Sequence, residues 1–402
     1  MRTVENARGD RDLSVNGGQP AIPRPDQPPE TDEALAEECA KLIRDGHALQ
    51  WYGGERQRAF EDAFARLVSA RHAVHCASGT AALHLALHAC GVRPGSVVAV
   101  PTLGFYSVLN AVLAMGALPF LVPVRPVDLV MDVDRACEEI PRGATLVAVH
   151  HVGRAVDVAE IRARRPDLVV VEDAADAQAT RVHGRPVGRE GLAACWSFTT
   201  THNVVNTIVP SGMVTTDSEE TAVRIRRLMH YGKDFRRYTS GTPLNPLPAE
   251  MGFNYMSHEL AAAIGLHSVR NAAERWETRR RNGAALEEGL AGLGLRTFPV
   301  APHVEQNYYD VVFAPDASWR EDTGWALDAL VAEGCPAWSY HSMFALPWVR
   351  AELVQRGAWT AREDGLARAK DPTLRHLLGI RPPALAAQVP DYIAAVRKVF
   401  TK

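Results

Sequence analysis

The chain has 402 residues, of which 47% are hydrophobic and 23% charged, and its formal net charge is −3 at pH 7. These values are typical of a globular protein with a large core and two or three domains. The charge excludes the basic surface of a nucleic-acid-binding protein, and no apolar run approaches the roughly 20 residues of a membrane span. Because the first residues also lack the apolar stretch of a signal peptide, we expect a cytoplasmic protein with no nucleic-acid or membrane partner.

The first 130 or so residues predict an arm, two helices and the start of a sheet. Residues 1–30 are polar and rich in Pro and Gly, which predicts a flexible arm. Helical spacing predicts one helix from Thr31 to Arg44 and a second through Phe60, Phe64 and Leu67. Short Val-rich runs then alternate with helical segments, beginning with 73–76, 97–101 and 120–124.

The same alternation continues through 146–153, 168–173 and 193–198 and predicts an α/β fold with a doubly wound, mostly parallel sheet. We assign residues 31–275 to this large domain. A long Arg/Glu-rich helix from Arg270 to about Leu290 is predicted to link it to a smaller C-terminal α+β domain. Residues 276–402 are therefore assigned to the linking helix and the small domain.

Polar side chains follow two of the predicted strands. The apolar run Leu168 to Val171 ends in Glu172-Asp173, and the strand from Ala193 to Phe198 continues into three threonines and His202. In open α/β sheets, ligands bind at this edge because strand ends and helix N-termini meet there. The sequence therefore predicts the floor of an active site.

Ser78-Gly79-Thr80 opens a strong helix directly after the strand that ends at Cys76. Small and hydroxyl residues there leave backbone N–H groups free at the positive end of the helix dipole, which predicts a phosphate-binding turn. A Ser/Thr N-cap that holds no ligand is the alternative.

The six cysteines are scattered without a C-x-x-C pair, which indicates reduced core residues. The adjacent histidines His150 and His151 would point to opposite faces of a strand, so they do not predict a metal pair. We therefore predict no metal site.

Several motifs occur together in a fixed order: WYGGERQRAFEDAFA, ASGTAALHLAL, VPTLGFYSVLNAVLAMGALPFLV, HVGRAVDV, VVEDAADAQAT, HGRPVGREGLAACWSF, GFNYMSHELAAAIG and SYHSM. This set resembles the DegT/DnrJ/EryC1/StrS family of sugar aminotransferase-like enzymes across residues 35–400. The resemblance implies a fold type I enzyme that uses pyridoxal phosphate (PLP). It also implies a homodimer with the active site at the subunit interface.

The resemblance implies a role for each matching residue. Asp173 matches the carboxylate that faces the pyridine nitrogen and keeps it protonated, and Phe105 matches the aromatic ring that stacks on the coenzyme; a helix cap and a plain core residue are the alternatives. Asp176 stands where the family usually has Gln or His near the phenolic oxygen. The implied phosphate contacts are Ser78, Gly79, Thr80 and Ser197, with Asn254 reaching the phosphate from the other subunit.

The main departure from the family is at His202. Ordinary members have, at this place, the lysine that forms the internal aldimine with PLP. The chain has five lysines, Lys41, Lys233, Lys370, Lys398 and Lys402, and none offers an obvious substitute. We therefore expect PLP or its amine form, pyridoxamine phosphate (PMP), to be held non-covalently if it is bound at all.

Histidine can still transfer protons at neutral pH. A related branch of the family uses PMP with a histidine base to remove the hydroxyl next to the ketone of a nucleotide-linked sugar, and the resemblance implies a similar reaction here. Three features differ: the glycine-rich turn after the histidine is replaced by residues 204–212, Met256 stands where Arg is usual, and the cysteine spacing offers no iron–sulfur cluster.

Three residues are candidate contacts to a small-molecule substrate. His151 lies at a strand end, and Tyr340 and His341 lie in a segment similar to the family's substrate-facing C-terminal motif. The leading hypothesis is a lysine-less, dehydratase-like lyase of deoxysugar or antibiotic biosynthesis with His202 as general acid and base. A cofactor-independent cyclase, eliminase or isomerase and a non-catalytic regulatory partner are the alternatives.

Overall fold

The computed structural model describes residues 13–22, 32–47, 54–198, 205, 207, 209–234, 247–315, 323–343, 346–368 and 377–401. The β-strands are β1 (His72–Cys76), β2 (Val97–Pro101), β3 (Leu118–Val122), β4 (Thr145–Val149), β5 (Val169–Asp173), β6 (Arg181–Val182), β7 (Arg185–Pro186), β8 (Ala193–Ser197), β9 (Gly212–Thr216), β10 (Arg296–Thr297), β11 (Val304–Glu305), β12 (Val311–Ala314), β13 (Ala337–Tyr340) and β14 (Leu377–Ile380).

The α-helices are α1 (Glu33–Arg44), α2 (Glu55–Leu67), α3 (Gly79–Ala89), α4 (Ser107–Ala114), α5 (Val133–Glu139), α6 (Val158–Arg164), α7 (Glu219–Leu228), α8 (Glu259–Arg270), α9 (Ala272–Ala291), α10 (Thr323–Ala332), α11 (Pro347–Gln355), α12 (Ala361–Arg368) and α13 (Val389–Phe400). Within the described ranges, no helix combines the length and the apolar character that crossing a bilayer requires.

A seven-stranded sheet in the order β1-β9-β8-β5-β4-β2-β3 forms the centre of the fold. The pairs β2–β3, β2–β4, β4–β5 and β5–β8 are parallel, and β9 runs antiparallel to both β1 and β8. The prediction of an α/β fold with a mostly parallel sheet is therefore confirmed. The predicted strand 146–153 is shorter than expected: β4 ends at Val149 because Val152 and Gly153 have left-handed φ angles of 51° and 86°.

Apolar clusters cover both faces of this sheet. On one face, α3, α4 and α7 contribute Leu85, Leu109 and Ile225 to a buried cluster. On the other face, Phe60 and Phe64 of α2 are grouped with residues of the sheet and α8 in a second cluster. Burial on both faces explains why the parallel strands appear in the sequence as continuous Val-rich runs.

A second sheet, β10-β12-β14-β13, is antiparallel and packs with α9, α10 and α13 around its own apolar core. A third, small sheet in the order β11-β6-β7 pairs a segment just before β12 with a hairpin of the large domain. The hairpin therefore joins the two parts of the chain near the carboxyl ends of the central strands.

The predicted flexible arm differs from the structure over residues 13–22. Leu13 and Ile22 are buried in the core of the second sheet. The carboxylate of Glu333 accepts hydrogen bonds from the backbone N–H groups of Ser14 (2.8 Å) and Ala21 (2.9 Å), and it accepts a third from Lys398 Nζ (2.9 Å). The flexible-arm prediction was therefore wrong for this segment, because a buried acceptor far away in sequence fixes its backbone.

Replacing Glu333 with Ala should detach residues 13–22 from the small domain. Three donors lose one buried acceptor, so we expect the free energy of unfolding to fall by about 2–3 kcal/mol and proteases to cleave within 13–22. Chemical unfolding and limited proteolysis measure the two effects. The control is Glu288→Ala, which changes an exposed glutamate of α9; equal behaviour of the two variants would contradict the assignment.

Candidate active site

The carboxyl ends of β2, β4, β5 and β8 meet at one edge of the central sheet. Asp173 and Ser197 are the last residues of β5 and β8, and His151 follows β4. Phe105 follows β2, in the loop before α4. The structure thus places predicted site residues from four separate chain segments on the same edge.

The N-terminus of α3 lies against the same edge. Ser78 is the N-cap, and its Oγ accepts a hydrogen bond from Ala81 N at 3.0 Å. A Cβ atom added to Gly79 would lie only 2.8 Å from the Cβ of Ser197. Glycine at this position therefore lets the helix end contact β8 closely, while Thr80 in the same first turn is exposed.

Asp173 is a buried carboxylate with few compensating contacts. Its side chain accepts one hydrogen bond, from Ala175 N at 3.1 Å. Burial, followed by the negative charge of Asp176, raises the pKa of Asp173 to about 7. A carboxylate in this position favours a cation, because a positive charge nearby would remove much of the cost of ionising it.

Asp176 lies between Asp173 and His151. One of its carboxylate oxygens accepts a hydrogen bond from Val152 N at 3.1 Å and lies 3.3 Å from His151 Nδ1. The His151 ring is buried and meets the Tyr340 ring edge to face, with centroids 5.2 Å apart. The structure therefore brings two of the predicted substrate contacts, His151 and Tyr340, together with Asp176.

Glu172, the neighbour of Asp173, faces the other side of the sheet. Burial alone would raise its pKa, but hydrogen bonds from His150 Nε2 (2.9 Å) and from the backbone N–H groups of Gly191 (2.6 Å) and Gly188 (2.7 Å) lower it. His150 and His151 thus contact different acids, Glu172 and Asp176, although β4 ends at Val149 and neither histidine lies in a strand, so the strand alternation expected for them does not apply.

Gln178 was not singled out in the sequence, although it is buried at the centre of the site. Its Nε2 donates to the backbone oxygens of Ser197 (2.9 Å) and Val205 (3.3 Å), and its Oε1 accepts from Val205 N at 2.7 Å. The side chain therefore holds both ends of the segment that contains His202. His202 itself lies outside the described residues.

A buried polar cluster on the small-domain side was also missed. The Tyr340 hydroxyl donates to Asp310, and burial raises the pKa of Asp310 to about 7. The guanidinium of Arg381 lies over the Trp338 ring at 4.6 Å, and burial lowers its pKa. These residues come from β13, the position just after β14 and the turn before β12, so no local sequence pattern marks them as a group.

The remaining predicted residues are exposed. Phe105 is 57% exposed, and its ring lies 4.1 Å from that of Tyr106. Asn254 is exposed and is fixed by a backbone bridge to His230. His341 is exposed, with its Nε2 at 3.0 Å from Ser339 Oγ, and it is not joined to the His151–Tyr340 group by any described contact.

The side chains at this edge fit a pyridoxal coenzyme. Asp173 has the burial and the raised pKa expected of a carboxylate that would face a protonated pyridine nitrogen. The α3 N-terminus, closed against Ser197 by Gly79, provides backbone N–H groups and a helix dipole suited to a phosphate. The exposed face of Phe105 is available for stacking.

Comparisons with known proteins identify the family of the chain. The sequence model of the DegT/DnrJ/EryC1/StrS aminotransferase family matches residues 29–328. The chain is 36% identical over 299 residues to GDP-perosamine synthase of Caulobacter vibrioides. This alignment covers 72% of this chain and 77% of that protein. It is 33% identical over 322 residues to L-glutamine:2-deoxy-scyllo-inosose aminotransferase of Micromonospora echinospora, with coverage of 74% and 73%.

A solved structure shows the same fold over almost the whole chain. The crystal structure of DesI in the presence of its TDP-sugar product superposes with a TM-score of 0.80 and is 29% identical, covering 98% of this chain and 97% of that one. The fold type I prediction is therefore confirmed, together with the family resemblance.

The pKa of Asp173 predicts a pH dependence of stability in the coenzyme-free protein. In the folded state the proton is retained up to about pH 7, whereas the unfolded chain releases it near 3.8. The stabilisation due to the bound proton is complete below the unfolded pKa and is lost as the pH rises through the folded one. Relative to the Asp173→Asn variant, the chain should lose on the order of 2 kcal/mol of unfolding free energy between pH 5 and pH 7.5.

Chemical unfolding of both proteins at several pH values measures this difference. Asp62→Asn, a change at an exposed acid of α2, is the matched control and should shift the curve by a constant amount. A difference between the chain and Asp173→Asn that does not change with pH would contradict the raised pKa.

Proposed function

Because the chain belongs to the DegT/DnrJ/EryC1/StrS aminotransferase family, we propose that it is a lysine-less enzyme that binds PMP or PLP non-covalently. His202 acts as the general acid and base, and the reaction is the removal of a hydroxyl group next to a ketone. The observation that carries this proposal is that His202 follows Ser197-Phe198 and three threonines, where the resemblance places the Schiff-base lysine.

The lysines in the described part of the chain support non-covalent binding. Lys398 Nζ donates to Glu333 and to Gln19 O at the small domain, and Lys233 Nζ lies 5.8 Å from the centre of the Tyr231 ring. Lys41 is exposed on α1.

When bound, the coenzyme supplies an electron sink for a carbanion next to the reacting carbon. Asp173 would hold its ring nitrogen in the protonated form, and the N-terminus of α3 with Ser78 and Thr80 would bind its phosphate. Phe105 would cover one face of its ring. These contacts orient the group without a covalent bond.

His202 would move the protons in this arrangement. An imidazole can accept a proton and return it at neutral pH, and proton transfer of this kind typically contributes 10²- to 10⁴-fold to a rate. Gln178 is a positioning residue, since it holds Ser197 and Val205 at the two ends of the segment. A lysine is absent from this segment, so the amine transfer of ordinary family members has no group to complete it.

The substrate class follows from the relatives and from this chain's departures. The names of two relatives specify a nucleotide-linked sugar and an aminocyclitol precursor as their substrates or products. A keto sugar or similar polyol of deoxysugar or antibiotic biosynthesis is therefore the proposed substrate, in a cytoplasmic enzyme. His151 and Tyr340, beside Asp176, offer polar groups to its hydroxyls.

We also propose a homodimer with Asn254 completing the partner's phosphate site. Asn254 is exposed on a segment tied to the core by the bridge to His230 and by the bridge between Met256 and Cys76. Exposed apolar side chains lie close to it in sequence, with Met251 69% and Leu247 88% exposed. Such side chains favour burial against a second subunit.

One observation favours a cofactor-independent reaction as the second candidate. Asp173 has a pKa of about 7 and has Asp176 as its neighbour. A buried carboxyl that titrates at neutral pH can itself act as a general acid or base. In that case His202 and Asp173 would catalyse an elimination or isomerisation directly, and neither PLP nor PMP would bind.

Reduction with borohydride distinguishes covalent from non-covalent coenzyme. After incubation with PLP and reduction, the chain should keep its original mass, whereas His202→Lys should gain one reduced coenzyme because an amine now stands in the lysine position. Intact-mass spectrometry detects the adduct, and unreduced samples passed through a desalting column report retained PMP or PLP by absorbance. A coenzyme adduct on the unchanged chain, mapped to one of its lysines, would contradict the proposal, and no retention of either form would favour the cofactor-independent candidate.

His202→Ala should lower turnover by about 100-fold or more, since the general acid and base is lost. The assay incubates PMP-loaded protein with a nucleotide-linked 4-keto-6-deoxy sugar and uses mass spectrometry to follow the replacement of one sugar hydroxyl by hydrogen, a net loss of one oxygen atom, while PMP is oxidised to PLP and its amine is released as ammonia. His47→Ala, at an exposed histidine after α1, should leave the rate unchanged. Unaltered activity of His202→Ala would exclude this base, and a product that gains an amine while keeping its hydroxyl would exclude dehydration.

A further inference from the structure

Three metal-ligating side chains meet on the surface beside the small three-stranded sheet. Asp157 precedes α6, His183 forms the turn between β6 and β7, and His303 precedes β11. One ligand atom from each lies within 4.8 Å of the other two. Among the described residues, this is the group of at least three His, Cys, Asp or Glu side chains that could hold a metal ion. The cluster is separate from Asp173 and His202 in sequence and is not used by the proposed reaction.

Backbone contacts fix the two histidines relative to each other. β6 pairs with β11 so that Val182 faces Val304, and His183 N donates to His303 O at 2.8 Å. The imidazole rings lie parallel, 4.3 Å apart with 6° between their planes. The pairing of two strands far apart in sequence therefore places both rings on the same side of the small sheet.

The carboxylate of Asp157 is oriented towards the two rings. Its Oδ1 accepts a hydrogen bond from Glu160 N at 3.0 Å as the N-cap of α6. The other oxygen, Oδ2, lies 3.0 Å from His183 Nε2 and 4.0 Å from His303 Nε2. The cap holds the carboxylate in place, as outer contacts of metal ligands commonly do.

We propose that Asp157, His183 and His303 form a binding site for a divalent transition-metal ion of the zinc class. Two imidazoles and one carboxylate are ligands suited to zinc, whereas calcium and magnesium prefer oxygen ligands throughout. In a tetrahedral zinc site, ligand atoms about 2.0–2.2 Å from the ion lie roughly 3.3 Å from one another. Asp157 Oδ2 already lies 3.0 Å from His183 Nε2, so the site forms when the exposed His303 ring, with Nε2 at 4.0 Å from the same oxygen, moves inward, with water as the fourth ligand.

The ion would tie three chain segments together. It joins the start of α6, the β6–β7 hairpin and the segment that leads into β11. Asn307 follows β11 closely in sequence, and its Nδ2 donates to the backbone oxygens of Asp176 (3.0 Å) and Gln178 (2.8 Å). Metal binding would therefore stabilise the folded chain and the contacts of Asn307 with the backbone of Asp176 and Gln178. Arg154 lines a surface cavity together with Asp157 and His303, but its Nη1 donates to Phe298 O.

Titration of the chelator-treated full chain with Zn²⁺ tests the site. We expect one tightly bound zinc per chain and a rise in melting temperature with zinc. His183→Gln and His303→Gln should each weaken binding on the order of 100-fold or more, because even outer-shell changes cost 10- to 100-fold. Asp157→Asn should weaken binding while keeping the α6 cap, since Asn also caps helices.

His47→Gln, at an exposed histidine outside the cluster, is the control and should bind zinc as the unchanged chain does. Affinity should also fall at acidic pH, because bound imidazoles must be neutral. X-ray absorption spectroscopy should show a nitrogen and oxygen shell with two imidazoles. Sulfur ligands, or equal zinc affinity in the His183→Gln/His303→Gln double variant, would overturn the proposal, and a missing melting shift in the unchanged chain would overturn the stabilising role.

Discussion

The site depends on one electrostatic constraint, the burial of Asp173 at the end of β5 with Asp176 as its neighbour. Two carboxylates in one place cannot both be ionised at low cost unless a cation or a proton joins them. Without a ligand, the proton takes this place, because burial and Asp176 raise the pKa of Asp173 to about 7. A protonated pyridine ring would supply the cation instead, so ligand binding and proton balance are linked at this edge of the sheet.

The second constraint is mechanical and is provided by Gln178. Its amide hydrogen-bonds to the backbone of Ser197 and Val205, described residues on either side of His202. The strand that carries Ser197 packs against the N-terminus of α3 at Gly79. The turn proposed to bind phosphate therefore packs against the strand end from which the chain leads to His202.

The sequence predicts the central sheet well because its parallel strands are buried on both faces and appear as Val-rich runs, as in β2 and β5. The order of the strands along the chain also predicts that Asp173 and Ser197, at the ends of β5 and β8, lie at one edge of the sheet, and the family resemblance adds Phe105. The sequence could not predict contacts that arise only from distant pairing: Glu333 binding the segment 13–22, Tyr340 donating to Asp310, or β6 placing His183 beside His303. Those partners carry no local pattern, so the cluster proposed as a metal site could not be anticipated from the sequence.

Within the proposed function, there is a physical explanation for an aspartate at position 176, where the family usually has Gln or His. A coenzyme without a covalent bond to the protein must be retained by non-covalent contacts alone, and an added carboxylate increases the attraction for a cationic ring or amine when the phenolic oxygen beside it keeps its proton. The neutral Gln or His of ordinary members lacks this charge. Asp176 is also held by Val152 N and lies beside His151, so it remains fixed when the ligand leaves. Loss of the lysine and gain of this acid would then be two parts of one change, from covalent to electrostatic retention.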